Sequence, residues 1–92
     1  MTLNELQELV QKLYGNRDAA RGLDATIDAL DNRIHGFSSL AEKEIDDRAK
    51  TLARVMVEVT SIANQTGIDL NEALRFYVHG CPECGNNPCD CN

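Results

Sequence analysis

At 92 residues the chain scales to one small domain with little margin in a single core, so a partner chain would help to stabilise it. Nine basic residues against fifteen acidic ones give a net charge of −6, which argues against a nucleic-acid backbone as partner, because that binding rests on basic patches that release counterions. No apolar run approaches the about 20 residues of a membrane-crossing helix, and Met1-Thr2-Leu3-Asn4-Glu5 has neither the basic nor the apolar region of an export signal, so a soluble, cytoplasmic protein is expected. Two Phe, two Tyr and no Trp leave the core to Leu, Ile, Val, Met and Ala, which suits helix-on-helix stacking.

The elements follow in order. Thr2-Leu3-Asn4-Glu5 has the form of a capping box, and Leu3, Leu6, Val10 and Leu13 recur at the spacing of one helical face, so a first helix starts at the N-terminus. Gly15 and Asn16 can end it, and the polar stretch Asn16-Arg17-Asp18 leads to Gly22, although Ala19, Ala20 and Arg21 would tolerate a further turn. Leu23, Ile27, Leu30, Ile34 and Phe37 mark a second helix, with Asp24 near its N-terminus; Gly36 and Ser38-Ser39 close it.

Ser39-x-x-Glu42 forms a second capping box, which opens the longest helix. There Ile45, Ala49, Leu52, Met56, Val59 and Ala63 alternate four and three, while Val55 and Ile62 widen the stripe, which predicts burial against two neighbours. Gly67 is a natural C-terminal stop, and Asp69-x-x-Glu72 caps a fourth helix carrying Leu70, Ala73, Leu74 and Tyr77, ended by Gly80. The chain thus divides into a helical domain, 1–79, and a Cys-rich tail, 80–92.

That tail holds every cysteine of the protein: Cys81, Cys84, Cys89 and Cys91, in a C-x-x-C, four-residue gap, C-x-C run. Four thiolates suit the tetrahedral, soft-ligand preference of zinc and leave no open position for a substrate, so such a site holds structure and does not catalyse. Cys-Pro-x-Cys-Gly is a tight turn in which Gly85 can take positive φ and let backbone N–H groups face the sulfurs. Two other readings stay open: a pair of disulfides, which needs an oxidising compartment, and a reduced tail without an ion. His79 could replace one sulfur.

Four segments carry a family likeness: Leu6-Gln7-Glu8-Leu9-Val10, Arg21-Gly22-Leu23-Asp24-Ala25-Thr26, Ile62-Ala63-Asn64-Gln65-Thr66-Gly67-Ile68-Asp69-Leu70, and Gly80-Cys81-Pro82-x-Cys84-Gly85. In this order and spacing they resemble the MazG-like nucleotide pyrophosphohydrolases, in particular short members with a Cys-rich tail. The resemblance implies an all-α bundle of about four helices, completed by dimerisation into a homodimer or homotetramer. It further implies cleavage of a nucleoside triphosphate with magnesium, held by carboxylates of a Glu-Glu-x-x-Glu motif on helix two and Glu-x-x-Asp on helix three.

Carried over position by position, that catalytic set is missing. The helix-two glutamates fall on Asn32, Arg33 and Gly36, or one residue earlier on Asp31, Asn32 and His35, and the helix-three pair falls on Thr51 and Arg54. A guanidinium at a metal-binding position repels the cation and cannot deprotonate to relieve the repulsion. The expected function is therefore a non-catalytic, degenerate MazG-like module for oligomerisation or binding, with a structural zinc tail. Arg54 would fill the old metal cavity and donate hydrogen bonds to Asp31, Asp28 or Asn32, or else lie on a polar surface. A nucleotide or other phosphate could bind through Arg33, Lys50 or Arg54, or the ligand could be a protein. The alternative is a divergent magnesium-dependent pyrophosphohydrolase with a metal site rebuilt from Asp24, Asp28, Asp31, Glu44, Asp47 or Glu58. No Gly-rich phosphate loop follows a strand, and neither His35 nor His79 flanks a Ser or Cys triad.

Overall fold

A computed structural model describes residues 1–40 and 44–91, all of them helical or irregular with no strand among the described residues. The elements are α1 (Leu3–Ser38), α2 (Ile45–Thr66) and α3 (Leu70–Ala73), with a 3-10 turn over Leu74–Tyr77. The all-α class is as expected. Of the four expected helices, the first two are the arms of α1, 3–21 and 23–38, which meet at a non-helical Gly22, and the fourth is a single α turn that tightens into 3-10 geometry.

Helix α1 opens with the capping box, Glu5 N–H donating to Thr2 Oγ1 at 3.1 Å and Thr2 N–H to Glu5 Oε1 at 3.0 Å. It does not stop at Gly15. A mid-helix glycine costs only about 1 kcal/mol relative to alanine, and the residues just beyond it make cross-helix contacts that hold the extra turns: Arg17 and Arg21 to Glu58, and the Asp18 carbonyl to Gln65. The break falls at Gly22, whose φ of 82° and ψ of 170° lie outside helical space and in a region essentially reserved for glycine. A straight helix of 36 residues would run about 54 Å. The longest dimension of the molecule is 40 Å, because the kink turns 23–38 away from the axis of 3–21.

Helix α2 lies against α1 and ends on Gly67 in the left-handed conformation, φ 71°, with the N–H groups of Gly67 and Ile68 both donating to Ala63 O. Asp69 then caps α3 by accepting from Glu72 N–H at 3.1 Å, as its Asp-x-x-Glu spacing predicts. The expected Ser39-x-x-Glu42 box includes Glu42 and so lies outside the described residues; among those described, α2 begins at Ile45.

Gln7 fastens the base of this hairpin. Its amide nitrogen donates to Asn64 Oδ1 at 3.1 Å and to Ile68 O at 2.9 Å, its oxygen accepts from Leu70 N–H at 2.8 Å, and Asn64 Nδ2 donates back to Gln7 O at 3.1 Å. One side chain thereby satisfies backbone groups at the end of α2 and the start of α3, which otherwise lose their helical partners.

The interior does not match the expected aliphatic core. Among the described residues only Val10 and Ala63 are fully buried apolar side chains, whereas Asp18, Thr26, Glu58, Thr60 and Ser61 are all buried. Much of the stripe expected to be covered on α2 faces outward instead: Leu52 and Met56 are 51% and 56% exposed, and Ile45 and Val59 are exposed with them, while Ala63 is buried and Val55 and Ile62 are half-buried. Leu13, Leu23, Ile27 and Ile34 on α1 are exposed as well. The fully buried seam within one chain is mostly polar, and much of the apolar surface looks out.

Candidate functional site

Three groups of side chains carry the chemistry. The first is the tail. Gly85 N–H donates to Cys81 O at 2.8 Å and Cys81 N–H to Asn86 O at 3.0 Å, closing a loop that Gly85 completes at φ 76°. At Gly80, φ 122°, an added Cβ would stand 2.9 Å from the Asn86 carbonyl oxygen, so both glycines are required by the turn. The result gathers Cys81, Cys84, Cys89 and Cys91, whose sulfurs all lie within 4.8 Å of one another, into a group able to hold a metal ion. All four are free thiols. His79, exposed, is not part of the group.

The spacing of these sulfurs is informative. A tetrahedral ion with metal–sulfur bonds of about 2.3 Å sets its sulfurs about 3.8 Å apart. Cys81 and Cys91 are 3.7 Å apart at Sγ, and Cys84 and Cys89 are 3.8 Å apart. The electrostatics favour the same chemistry. Backbone N–H groups of Cys84 and then Glu83 draw the Cys81 thiol down from 9.0 to about 6, and those of Asp90 and Asn86 lower Cys84. Cys91 is pushed up to about 11 by the sulfurs of Cys89, Cys84 and Cys81, because its proton is shared among crowded thiolates. A divalent cation in that proton's place would offset two of the four thiolate charges.

The second group is ionic and buried. Glu58 of α2, 2% exposed, is paired with Arg21 and lies 3.9 Å from Arg17; Asp18 is 3.0 Å from Arg17 and 3.3 Å from Arg21. Arg21 Nε also donates to Thr26 Oγ1, whose hydroxyl donates to Gly22 O, so the network spans the kink. Gln65 Nε2 donates to Asp18 O at 2.9 Å, in the last turn before the break, where helical carbonyls lack their usual partners. Two buried carboxylates and two guanidiniums thus occupy the seam that the sequence pattern assigned to aliphatic residues. Apart from Glu58, this group was not anticipated. The available signal was the Arg17-Asp18-x-x-Arg21 spacing, which sets three charges on adjoining turns.

The third is a cleft of about 270 Å³ lined by Tyr14, Arg17, Arg33, Arg54, Val57 and Glu58. It unites two of the degenerate positions, Arg33 and Arg54. The others stay apart: Asp31, Asn32, His35 and Gly36 are exposed on the far arm of α1, where His35 Nδ1 bonds to Asp31 O at 2.8 Å, and Thr51 donates to Asp47 O at 2.8 Å. Arg54 makes no ion pair among the described residues, so the expected pairing with Asp31 or Asp28 is not formed. Lys50 does not line the cleft.

The carboxylates of the enzymatic alternative do not converge. Among the described residues the only grouping of three or more metal-ligating side chains is the cysteine cluster. Asp24, Asp28, Asp31, Glu44 and Asp47 are exposed, and Glu58 is engaged by arginine. No helix is long and apolar enough to cross a membrane among the described residues. Compared with family models, curated proteins and solved structures, the chain matches none.

Proposed function

We propose that the protein is a non-catalytic, MazG-like helical module that works by self-association, with its cysteine tail closed around a structural zinc ion. The observation that carries this reading is the inversion of polarity: within one chain the helices meet over Asp18, Thr26, Glu58, Thr60 and Ser61, while Leu52, Met56 and Val59 of α2 and Leu23, Ile27 and Ile34 of α1 stand uncovered. Their spacings of four, seven and three residues are those of a helix-packing seam. Pairing two copies across these faces would give a four-helix arrangement with an aliphatic core, and would bury the surface that a lone 92-residue chain leaves in water.

Dispersal of the catalytic-position residues supports a non-catalytic role, and two sulfur pairs at 3.7 and 3.8 Å, close to a tetrahedral edge, support zinc. The double variant Leu52→Glu with Met56→Glu tests the reading. Both side chains sit on the exposed face of α2, so the variant should elute at monomer mass in light scattering while the wild type elutes as a dimer or dimer of dimers. Equal mass for both would remove the reading. Magnesium-dependent release of pyrophosphate from a nucleoside triphosphate would replace it with the enzymatic one.

A further inference from the structure

We propose that the cysteine tail is a redox-responsive clasp: a small-molecule disulfide converts its four thiolates into two nested disulfides, Cys81 with Cys91 and Cys84 with Cys89, and so frees the ion they hold. The inference rests on the zinc reading above and adds to it a co-reactant, a pairing and a route of release.

The sulfur contacts set the pairing. Cys81 Sγ meets Cys91 Sγ at 3.7 Å and Cys84 Sγ meets Cys89 Sγ at 3.8 Å, two contacts of hydrogen-bonding geometry that together use each sulfur once. A disulfide bond is about 2.05 Å long, so each pair closes by less than about 2 Å, a distance that rotation of the side chains can supply. The pairing of neighbours is disfavoured. A Cys81–Cys84 bond would leave Cys89 and Cys91 to bridge across Asp90 alone, where Cys91 N–H already donates to Cys89 Sγ at 3.3 Å, and so small a ring strains the bond.

Access and independence make the conversion feasible. Cys89 and Cys91 are exposed and Cys81 and Cys84 half-buried, whereas an ion site in a protein interior shields its sulfurs from a reagent. The tail's hydrogen bonds close on the tail itself: Cys81 N–H to Asn86 O, Gly85 N–H to Cys81 O, and Asn86 Nδ2 to Asp90 Oδ1 at 2.9 Å. None of these reaches α1 or α2, so the cluster can change state while the helices stay formed.

The chemistry balances pair by pair. An exposed thiolate, Cys89 or Cys91, attacks one sulfur of a reagent RSSR, forming a mixed disulfide and expelling RS⁻. The thiolate beside it, Cys84 or Cys81, then attacks the protein sulfur of that mixed disulfide and expels the second RS⁻. Two cysteine sulfurs are oxidised, one reagent disulfide is reduced, and two reagent molecules convert the whole cluster. Disulfide sulfurs carry no charge and no longer act as thiolate ligands, so a divalent ion leaves unchanged in oxidation state.

The test treats the full-length protein, loaded with zinc and freed of excess, with glutathione disulfide in the presence of a chromogenic zinc indicator, and maps the bonds by mass spectrometry. Complete release of the ion with glutathione disulfide, none with reduced glutathione, and peptides joined Cys81–Cys91 and Cys84–Cys89 are expected, with circular dichroism unchanged. Excess dithiol should restore zinc uptake. Cys91→Ser should still form Cys84–Cys89 and leave Cys81 as a mixed disulfide with glutathione, while His79→Ala should match the wild type. A protein that takes up no zinc overturns both this proposal and the zinc reading. One that binds zinc but keeps it under the disulfide, or pairs its cysteines in another way, overturns this proposal alone.

Discussion

Glu58 shows how the charge pattern works at the scale of single residues. Its carboxylate is buried against Arg21 and Arg17, whose side chains are 22% and 38% exposed. Breaking a wholly buried pair costs about 3–5 kcal/mol, and partial access of both arginines to water lowers the expectation for Glu58→Ala to about 2–3 kcal/mol. Urea denaturation should show that loss as a lower midpoint at unchanged slope; an unchanged midpoint would mean the network contributes nothing. The tail obeys similar logic with thiols. Because backbone N–H groups hold Cys81 near 6 and crowding holds Cys91 near 11, metal-free protein at pH 7 should be alkylated first at Cys81 and last at Cys91. The lowered Cys81 value favours the folded turn fully above its ordinary 9.0, and this preference is lost as pH falls through about 6. Added zinc should protect all four cysteines from alkylation, read by mass spectrometry, and release on acidification; four reactive cysteines in the presence of zinc would exclude the closed site.

At the scale of elements, the kink decides which residues meet. Gly22 can hold φ 82°, ψ 170° without strain, and an alanine there meets no steric obstacle but enters a disfavoured backbone region. Gly22→Ala should therefore cost about 1–3 kcal/mol by thermal or chemical denaturation. An unchanged stability would show that α1 can run straight. Local punctuation was legible in the sequence: the Thr2 box, the Gly67 stop and the Asp69 cap all rest on bonds within one turn. What was not legible depended on contacts between distant residues. Nothing local says that Arg17, Asp18 and Arg21 would carry the helix past Gly15, since Glu58 and Gln65 of α2 hold that turn. Likewise the periodicity of α2 revealed an apolar stripe but not which neighbour covers it; Ile45, Leu52, Met56 and Val59 face away from α1. The cysteine cluster was readable because its ligands and its turn glycines lie within eleven consecutive residues, 81–91.

At the scale of the molecule, the stability of one chain and its assembly become the same question. Ordering each residue's backbone costs about 1–2 kcal/mol. Fully burying a Val-sized side chain returns about 1.5–3 kcal/mol. With Val10 and Ala63 as the only fully buried apolar side chains among the described residues, a lone chain has little to set against that entropy. Covering the outward faces of α1 and α2 would supply the deficit, and folding would then depend on protein concentration. Sedimentation equilibrium of the wild-type protein across a wide concentration range measures this directly. The account predicts a mass of at least about twice the 10.2 kDa chain, with any monomer at high dilution losing helical signal. A 10.2 kDa species that stays fully helical and unfolds cooperatively at all concentrations would contradict it.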